Sequence, residues 1–500
     1  MLSKKELGLN SYKDKRGLKT VFSSNFVSIF ILTSALISLW KFTTVGLINK
    51  DGFLYIETAE LYLSGGFSAA FANYNWPFFS ILAAWMSKVS GFSVTHALYA
   101  LSTLFYSVIT WAFIKICELR LEKKAVYMAA LVFLCSTTVN DYRDYIIRDH
   151  GFWAFSLLAI YYLVKAVDTG SYVKLIASLL AVVLSLFFRV EGLVNILLFP
   201  FIFALSSPPI KERVLRNKWY FLAGCLSALL AVIVGSLFVE SGWKLLSDIK
   251  LYINPEVYMD NIVRRADVLH RSIIPNAKPE YSVPYLLLGT FMVFVFSLAS
   301  SAGVGYILAT LSNVKSFWHR LKDDRLITVI LLALALPLLA FTFRKYFLNT
   351  RYAVTFGIVL LIPISYLYYQ TFFLGNSLIK KALLAFFLMY SAVDGLVSFN
   401  HSDKKYYFEA ADWVASYKGE GDRVISNDRR INYLINNVYE KAPIFRLGAA
   451  KSINADMIVL YVSRKDNKSD EYILNTRRWE KAVEFSNNKQ DRIIIYQRAG

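Results

Sequence analysis

Carboxylates and guanidinium groups occur in this sequence where an apolar chain ordinarily has none. Asp51 opens "DGFLYIETAELYL", directly after an apolar stretch of membrane-spanning length. "NDYRDYIIRDHGF" packs Asp141, Arg143, Asp144, Arg148, Asp149 and His150 between two apolar segments, and "FFRVEGL" puts Arg189 and Glu191 between two more. "TFRKYFLNTRYAV" carries Arg344, Lys345 and Arg351, with Tyr346 and Tyr352 beside them. A positioned carboxylate takes the proton of an attacking hydroxyl. A guanidinium holds phosphate oxygens through parallel N–H donors and stays charged. Together these groups suit a reaction between a membrane-embedded phosphate ester and a hydroxyl acceptor, in which an acid accepts the hydroxyl proton and cations stabilise the departing phosphate.

Each position also has an ordinary explanation. Asp followed by Gly is a turn or helix-cap signal. Glu57 and Glu60 fit the wet face of an interfacial helix. Asp149 fits an N-cap favoured by the helix dipole, and His150 reads as structural. Arg189 and Glu191 make either an internal ion pair or the lining of a functional cavity. Tyr346 and Tyr352 suit interfacial anchors, and Arg344, Lys345 and Arg351 suit snorkelling cations. The three cysteines, Cys117, Cys135 and Cys225, lie in or at the ends of apolar segments, with no metal-site or disulfide spacing.

The elements that must position these groups are membrane helices. The chain of 500 residues is 56% hydrophobic. Its long apolar runs approach the ~20 residues that cross a ~30 Å hydrocarbon core, and the short alternating segments of a barrel are absent. The pattern predicts an all-α polytopic bundle with spans at 25–47, 94–117, 125–140, 150–168, 172–188, 192–207, 219–239, 284–311, 326–343, 352–373 and 381–399. The apolar stretch 76–90 is short and reads as a helix lying at the interface. Much of the net charge of +19 lies in short loops, which fits membrane orientation better than a nucleic-acid groove. With a cytoplasmic N-terminus, the basic loops "ELRLEKK", "PPIKERVLRNK", "KSFWHRLKDD" and "SLIKK" fall on the cytoplasmic side. Asp51, the 141–149 loop, Arg189–Glu191 and Arg344–Arg351 then share the outer side.

Three regions follow: a cytoplasmic arm at 1–24, a membrane domain at 25–399 and an extracytoplasmic α/β domain at 400–500. The arm is too long and polar for a cleavable leader, and the first span reads as an anchor. In the tail, "KKYYFEAADWVASYK" puts Tyr407, Ala411, Val414 and Tyr417 near one helical face, while "MIVLYVS" and "RIIIYQ" read as strands. "NKS" at Asn467 matches a glycosylation acceptor only as a short chance pattern.

The whole pattern resembles the GT-C superfamily of integral-membrane glycosyltransferases, in its bacterial protein-mannosyltransferase-like and aminoarabinose-transferase-like branch. The carriers are Asp51 with "YIETAELYLSGGF", "NWPFFSILAAWMSKVSG", "RDHGFWAFSLLAIYYL", "FRVEGL" and "NTRYAVTFGIVLLIPISYL", in that order along most of the chain. The resemblance implies a polyprenyl-phosphate-linked sugar donor, inversion at the anomeric carbon, and a bacterial cytoplasmic-membrane location. It makes Asp51 the base that activates the acceptor, and Asp149, or alternatively Asp144, the acid of the second outer loop. Arg351 and Tyr352 lie near the donor phosphate, and Arg148 and Arg189 are phosphate or ion-pair partners. Arg344 joins the donor-phosphate cations, and Glu191 supports them. Many relatives have two adjacent acids after the first helix, whereas here Gly52 follows Asp51. Some superfamily members use a divalent metal; this sequence has no compact ligand motif and assigns none. The acceptor class is a lipid, a protein hydroxyl or a cell-surface glycan. Two other readings share the cavity and its cations: a lipid-linked glycan flippase and a polysaccharide polymerase. A flippase does not require acids in the first two outer loops and often shows inverted repeats.

Overall fold

The computed structural model describes residues 24–44, 46–189, 191–192, 195, 199, 202–203, 255–397, 404–419, 422–435, 455–464 and 479–498. They fall into two compact units. The first draws on Met1–Leu39, Thr103–Tyr142 and Arg148–Leu396, the second on Trp40–Ser102, Arg143–Ile147 and Val397–Gly500.

Among the described residues, six helical stretches are long and apolar enough to cross a membrane: Asn25–Thr44, Val94–Arg120, Asp149–Thr169, Pro279–Ser300, Arg325–Lys345 and Thr350–Leu374. The expected span 219–239 lies outside the described residues, and 192–207 is described at only a few positions. Two expected spans are divided. The segment 125–140 becomes Lys123–Leu134 and Thr137–Asp141, because the chain turns at Ser136, whose hydroxyl accepts from the Val139 amide. The segment 284–311 becomes Ser282–Ser300 and Val304–Ser312, because Gly303 adopts φ +97°, a conformation that leaves the helix and favours glycine. Hydropathy does not register such breaks, since the residues at them remain small and weakly polar. The helix Leu378–Val397 corresponds to the last expected segment.

The first unit is built around five helices that matter for the site. We label them α1 (Val94–Arg120), α2 (Asp149–Thr169), α3 (Tyr172–Leu186), α4 (Arg325–Lys345) and α5 (Val354–Tyr369). The start of α1 belongs to the second unit. Helices α2 and α3 form an antiparallel pair in which Ser178 donates to the Ala159 carbonyl at 2.7 Å. This satisfies a buried hydroxyl that would otherwise be costly in an apolar setting. Helix α5 is buried along nearly its whole length, as a helix apolar on all sides should be.

At one end of this unit, polar side chains from four elements interlock. Arg120, at the end of α1, donates to Asp324 from Nε at 3.1 Å and from Nη2 at 2.6 Å, and from Nη1 to Asp168 at 3.2 Å. Arg320 donates to both Asp324 and the Arg120 carbonyl, at 3.2 and 2.7 Å, and lies over the Tyr366 ring. Two loops that the charge pattern assigned to one membrane side, "ELRLEKK" and "KSFWHRLKDD", therefore meet here.

The second unit contains helices α6 (Lys50–Asn73, kinked at Gly66) and α7 (Phe78–Ser90), and the tail helices α8 (Lys405–Tyr417) and α9 (Arg429–Leu434). Its sheet has four strands, β1 (Val424–Ser426), β2 (Met457–Val462), β3 (Trp479–Ser486) and β4 (Arg492–Arg498), in the order β1-β2-β4-β3. The β1–β2 pair is parallel and the other two pairs are antiparallel. The two runs read as strands are β2 and β4, and their apolar residues form the sheet's core. Of the four residues expected on the inner face of α8, Tyr407, Ala411 and Val414 are buried. Tyr417 is exposed and stacks on Trp413.

Candidate active site

The acid–guanidinium cluster of the first unit is assembled at the start of α2, the far end of that helix from Asp168. A helix of 21 residues separates its ends by about 30 Å. Arg148 takes the N-cap position without a side-chain cap, and Asp149 follows as the first helical residue. Asp149 is therefore not the cap. Its carboxylate is turned instead to Arg189, which donates to Oδ1 from Nη1. Arg189 is delivered by the end of α3, where its amide bonds the Ser185 carbonyl and the adjacent Phe188 ring stacks on Phe155. The rest of its fork goes to Glu191, through Nε to Oε2 at 3.1 Å and through Nη2 to Oε1. One guanidinium thus joins two carboxylates, the geometry for which arginine's planar donors are suited.

Arg351 and Tyr352 enter from a 3₁₀ turn, Thr350–Ala353, that leads into α5. The turn is fixed by Asn349, whose side chain accepts from the Arg351 amide at 3.0 Å while its carbonyl accepts from the Tyr352 amide at 2.9 Å. Sequence reasoning passed over Asn349, although an Asn two residues before a turn position is an ordinary capping signal. Arg351 Nε stands 3.8 Å from Asp149 Oδ1, an ion pair too long for a hydrogen bond, with its side chain 24% exposed. The Tyr352 ring lies beneath the Arg189 guanidinium at 4.3 Å. Arg148 adds a charge that acts on Glu191. Asp149 thus faces two guanidiniums, Arg189 in direct contact and Arg351 at 3.8 Å. Burial pushes the Glu191 carboxyl up, but the charge and hydrogen bonds of Arg189 outweigh this and hold it below the usual range. Buried and strongly ion-paired, the Arg189 guanidinium is charged throughout the physiological range.

A cavity with an empty volume of ≈ 500 Å³ opens against this cluster. Its polar wall is Arg189, Glu191, Asn195, Tyr352 and Thr355. Aromatic and aliphatic side chains, among them Phe152, Leu338, Phe341 and Phe356, close the remainder.

His150 is fully buried, bonds the Tyr142 carbonyl at 3.0 Å and packs against Tyr106 and Trp153, a structural role. Arg344 lies in the last turn of α4, where its charge acts on Tyr258. Among the described residues, no three His, Cys, Asp or Glu side chains gather as metal ligands.

Asp51 and Asp144 belong to the second unit. Asp51 is half-buried in the first turn of α6. Just before it, Asn49 clamps the 143–147 segment at two points. Its Nδ2 donates to the Ile146 carbonyl at 3.1 Å, and its Oδ1 accepts from the Ile146 amide at 2.8 Å. The segments around Asn49 and Ile146 are therefore joined. Lys404, at the head of α8, donates to the Leu47 carbonyl at 2.9 Å. Burial lowers its pKa, and the Asp144 charge opposes that shift. Glu57, expected in water, pairs with Arg429 of α9 at 3.0 Å, and Phe53 packs on Tyr433.

The chain is similar to several known proteins. A family model described as dolichyl-phosphate-mannose-protein mannosyltransferase matches residues 75–237. The apo structure of ArnT from Cupriavidus metallidurans superposes with a TM-score of 0.55 at 11% identity, covering 94% of this chain and 98% of that one. The oligosaccharyltransferase of Archaeoglobus fulgidus in complex with Zn and sulfate gives 0.52 at 10% identity, covering 92% and 72%. The same organism's AglB, in complex with an inhibitory peptide and a dolichol-phosphate, gives 0.51 at 11% identity, covering 95% and 74%. The chain shares its fold with these proteins, and about a third of it matches the mannosyltransferase family model. No curated protein sequence matches it.

The six long apolar helices among the described residues make this chain an integral membrane protein. The family match spans Asp144, Arg148, Asp149, Arg189, Glu191 and Asn195, while Asp51, Arg351 and Tyr352 lie outside it. Of the residues singled out from sequence, Asp149, Arg189, Glu191, Arg351 and Tyr352 come together in the first unit, with Arg148 in electrostatic reach. Asn195 and Thr355, both on the cavity wall, were not singled out.

Proposed function

We propose that this protein moves a sugar from a polyprenyl-phosphate donor to a hydroxyl acceptor on the outer face of a bacterial cytoplasmic membrane, with inversion at the anomeric carbon. The observation that carries the reading is the cluster at the start of α2. Arg189 is held by both Asp149 and Glu191, while Arg351 stands 3.8 Å from the same Asp149, and Arg189 and Glu191 line the adjoining cavity. A dianionic or monoanionic phosphate fits such a site, and its bond to Arg351 replaces a long ion pair with a short one. The dolichol-phosphate bound by the archaeal AglB supports a lipid phosphate as its source.

In the reaction the acceptor oxygen bonds to the anomeric carbon as the carbon–oxygen bond to phosphate breaks. The hydroxyl proton passes to a carboxylate, assigned to Asp51, and the lipid phosphate leaves with its electron pair stabilised by Arg351 and Arg148. Asp149 holds Arg189 and Arg351 in place, with Asp144 as the alternative second-loop acid. About eleven spans, a cytoplasmic N-terminus and an extracytoplasmic domain at 400–500 complete the topology. The acceptor belongs to the lipids, the proteins or the cell-surface glycans.

The test is to incubate the purified protein with labelled undecaprenyl-phosphate mannose and a mixed acceptor extract. Release of undecaprenyl phosphate with label in a new product is expected. Movement of the intact donor across vesicles without cleavage would instead identify a flippase. Asp51→Asn is expected to lower turnover by about 10²–10⁴-fold, the usual contribution of a general base. A correctly assembled Asp51→Asn protein with wild-type turnover removes Asp51 from the mechanism.

A further inference from the structure

Two polar groups on the cavity wall have no role in the ion cluster. Asn195 and Thr355 are only 3% and 4% exposed. Asn195 Oδ1 and Thr355 Oγ1 have no hydrogen-bond partner within the protein. A buried polar atom left unsatisfied is destabilising, and such atoms are rare in folded proteins. Thr355 lies in the first turn of α5 and bonds no carbonyl of the preceding turn, the usual outlet for a helical threonine. Both residues line the same ≈ 500 Å³ cavity, alongside Arg189, Glu191 and Tyr352.

We propose that Asn195 and Thr355 read hydroxyl groups of the sugar being transferred, so that this cavity is the donor-sugar pocket and a determinant of which sugar is used. The inference rests on the donor-phosphate reading above. In a polyprenyl-phosphate sugar the anomeric carbon is one oxygen away from phosphorus, so the sugar must lie beside the cations that hold the phosphate. The cavity meets that condition because its wall holds Tyr352, whose ring lies 5.5 Å from the Arg351 guanidinium, and Arg189, which shares Asp149 with Arg351. The same phosphate also carries the prenyl chain. An alkyl chain in this space would leave Asn195 and Thr355 desolvated and unpaired. A pyranose satisfies both, since each hydroxyl donates and accepts, and it presents C–H faces to the Phe341 and Phe356 rings. Glu191, fixed by two bonds from Arg189, offers a further acceptor at the same wall.

The test separates sugar from lipid by binding. Affinities of the purified protein are measured for undecaprenyl phosphate alone and for undecaprenyl phosphate bearing mannose, glucose or 4-amino-4-deoxyarabinose. Wild type is expected to bind at least one glycosylated lipid more tightly than the bare one. Thr355→Val and Asn195→Leu keep shape and remove the polar contact. Each is expected to cut that advantage by about 3–10-fold, the worth of one neutral hydrogen bond, and to leave bare undecaprenyl phosphate bound within twofold. Thr355→Ser keeps the hydroxyl and is expected to retain the advantage. Equal weakening of bare and glycosylated lipids would assign the cavity to the prenyl chain and overturn the proposal. Unchanged affinities throughout would mean the two groups face water alone, and would overturn it as well. Wild type that binds bare undecaprenyl phosphate but gains nothing from any of the sugars also counts against the sugar pocket. Failure to bind the bare lipid at all strikes the donor-phosphate reading itself.

Discussion

The two ends of α2 carry ionic clusters made of the same residue types. At the Asp168 end, Arg120 and Arg320 face Asp168 and Asp324 in a charge-balanced network whose forks are spent on carboxylates and a carbonyl. At the Asp149 end, Arg189 joins Asp149 to Glu191, Arg351 stands 3.8 Å from Asp149, and the cluster borders a cavity lined by buried polar atoms without a hydrogen-bond partner. Arginine stacks on a tyrosine in both, Arg320 over Tyr366 and Arg189 over Tyr352. Composition therefore does not separate the two clusters. The adjacent cavity and its buried, unsatisfied polar atoms do.

Matched substitutions turn that contrast into measurements. Arg189→Leu leaves Asp149 and Glu191 without their shared counter-charge. Breaking a buried pair in this way is expected to destabilise by about 3–5 kcal/mol and to abolish transfer. Arg120→Leu is expected to destabilise comparably, while its folded fraction keeps the wild-type donor kcat/KM. Thermal unfolding in detergent, followed by kinetics normalised to folded protein, tells them apart, and equal loss of specific activity would erase the distinction. Arg351→Ala is expected to raise the donor KM by about 10–100-fold, the value of a hydrogen bond to a charged group, with little change in Tm. An unchanged donor KM would take Arg351 out of phosphate binding.

A smaller effect comes from the stacked rings. Tyr352→Leu and Tyr366→Leu each remove a cation–π contact of about 0.5–2 kcal/mol. Only the first is expected to alter donor saturation. The smallest effect is on pH dependence. Because the folded Glu191 carboxyl lies below its ordinary value, its stabilisation is complete above the unfolded value of about 4.3. It is lost as the pH falls through the lower folded value. Tm measured downward from pH 6 should therefore fall less steeply in Glu191→Gln than in wild type. Identical slopes would show that Glu191 does not govern the acid limb.

The charged half of the site was legible because ionisable residues between apolar segments are expensive and conspicuous. "RDHGF", "FRVEGL" and "NTRY" each stand out on that ground, and the structure joins them. Asn195 and Thr355 were not legible, since a neutral polar residue in an apolar helix usually bonds its own backbone and signals nothing until the missing partner is seen. The helix breaks at Ser136 and Gly303 were hidden for a similar reason, being local turns inside sequence that stays apolar on average. Nor could sequence reveal that Lys404 reaches Leu47 or that Arg429 reaches Glu57, contacts separated by 357 and 372 residues. The strands of the tail were readable because β-branched runs between polar segments have few other uses.

Gly52 bears on how this protein could be re-engineered. A Cβ there would stand 2.5 Å from Ile48 Cγ2 and 3.1 Å from Ile146 Cβ. Placing a second acid beside Asp51 by Gly52→Asp would therefore wedge the entry turn away from residues 143–147 and strain the Asn49 clamp. Trimming Ile48 and Ile146 first would make room, so a two-acid version of this turn calls for a repacked neighbourhood and not a single exchange.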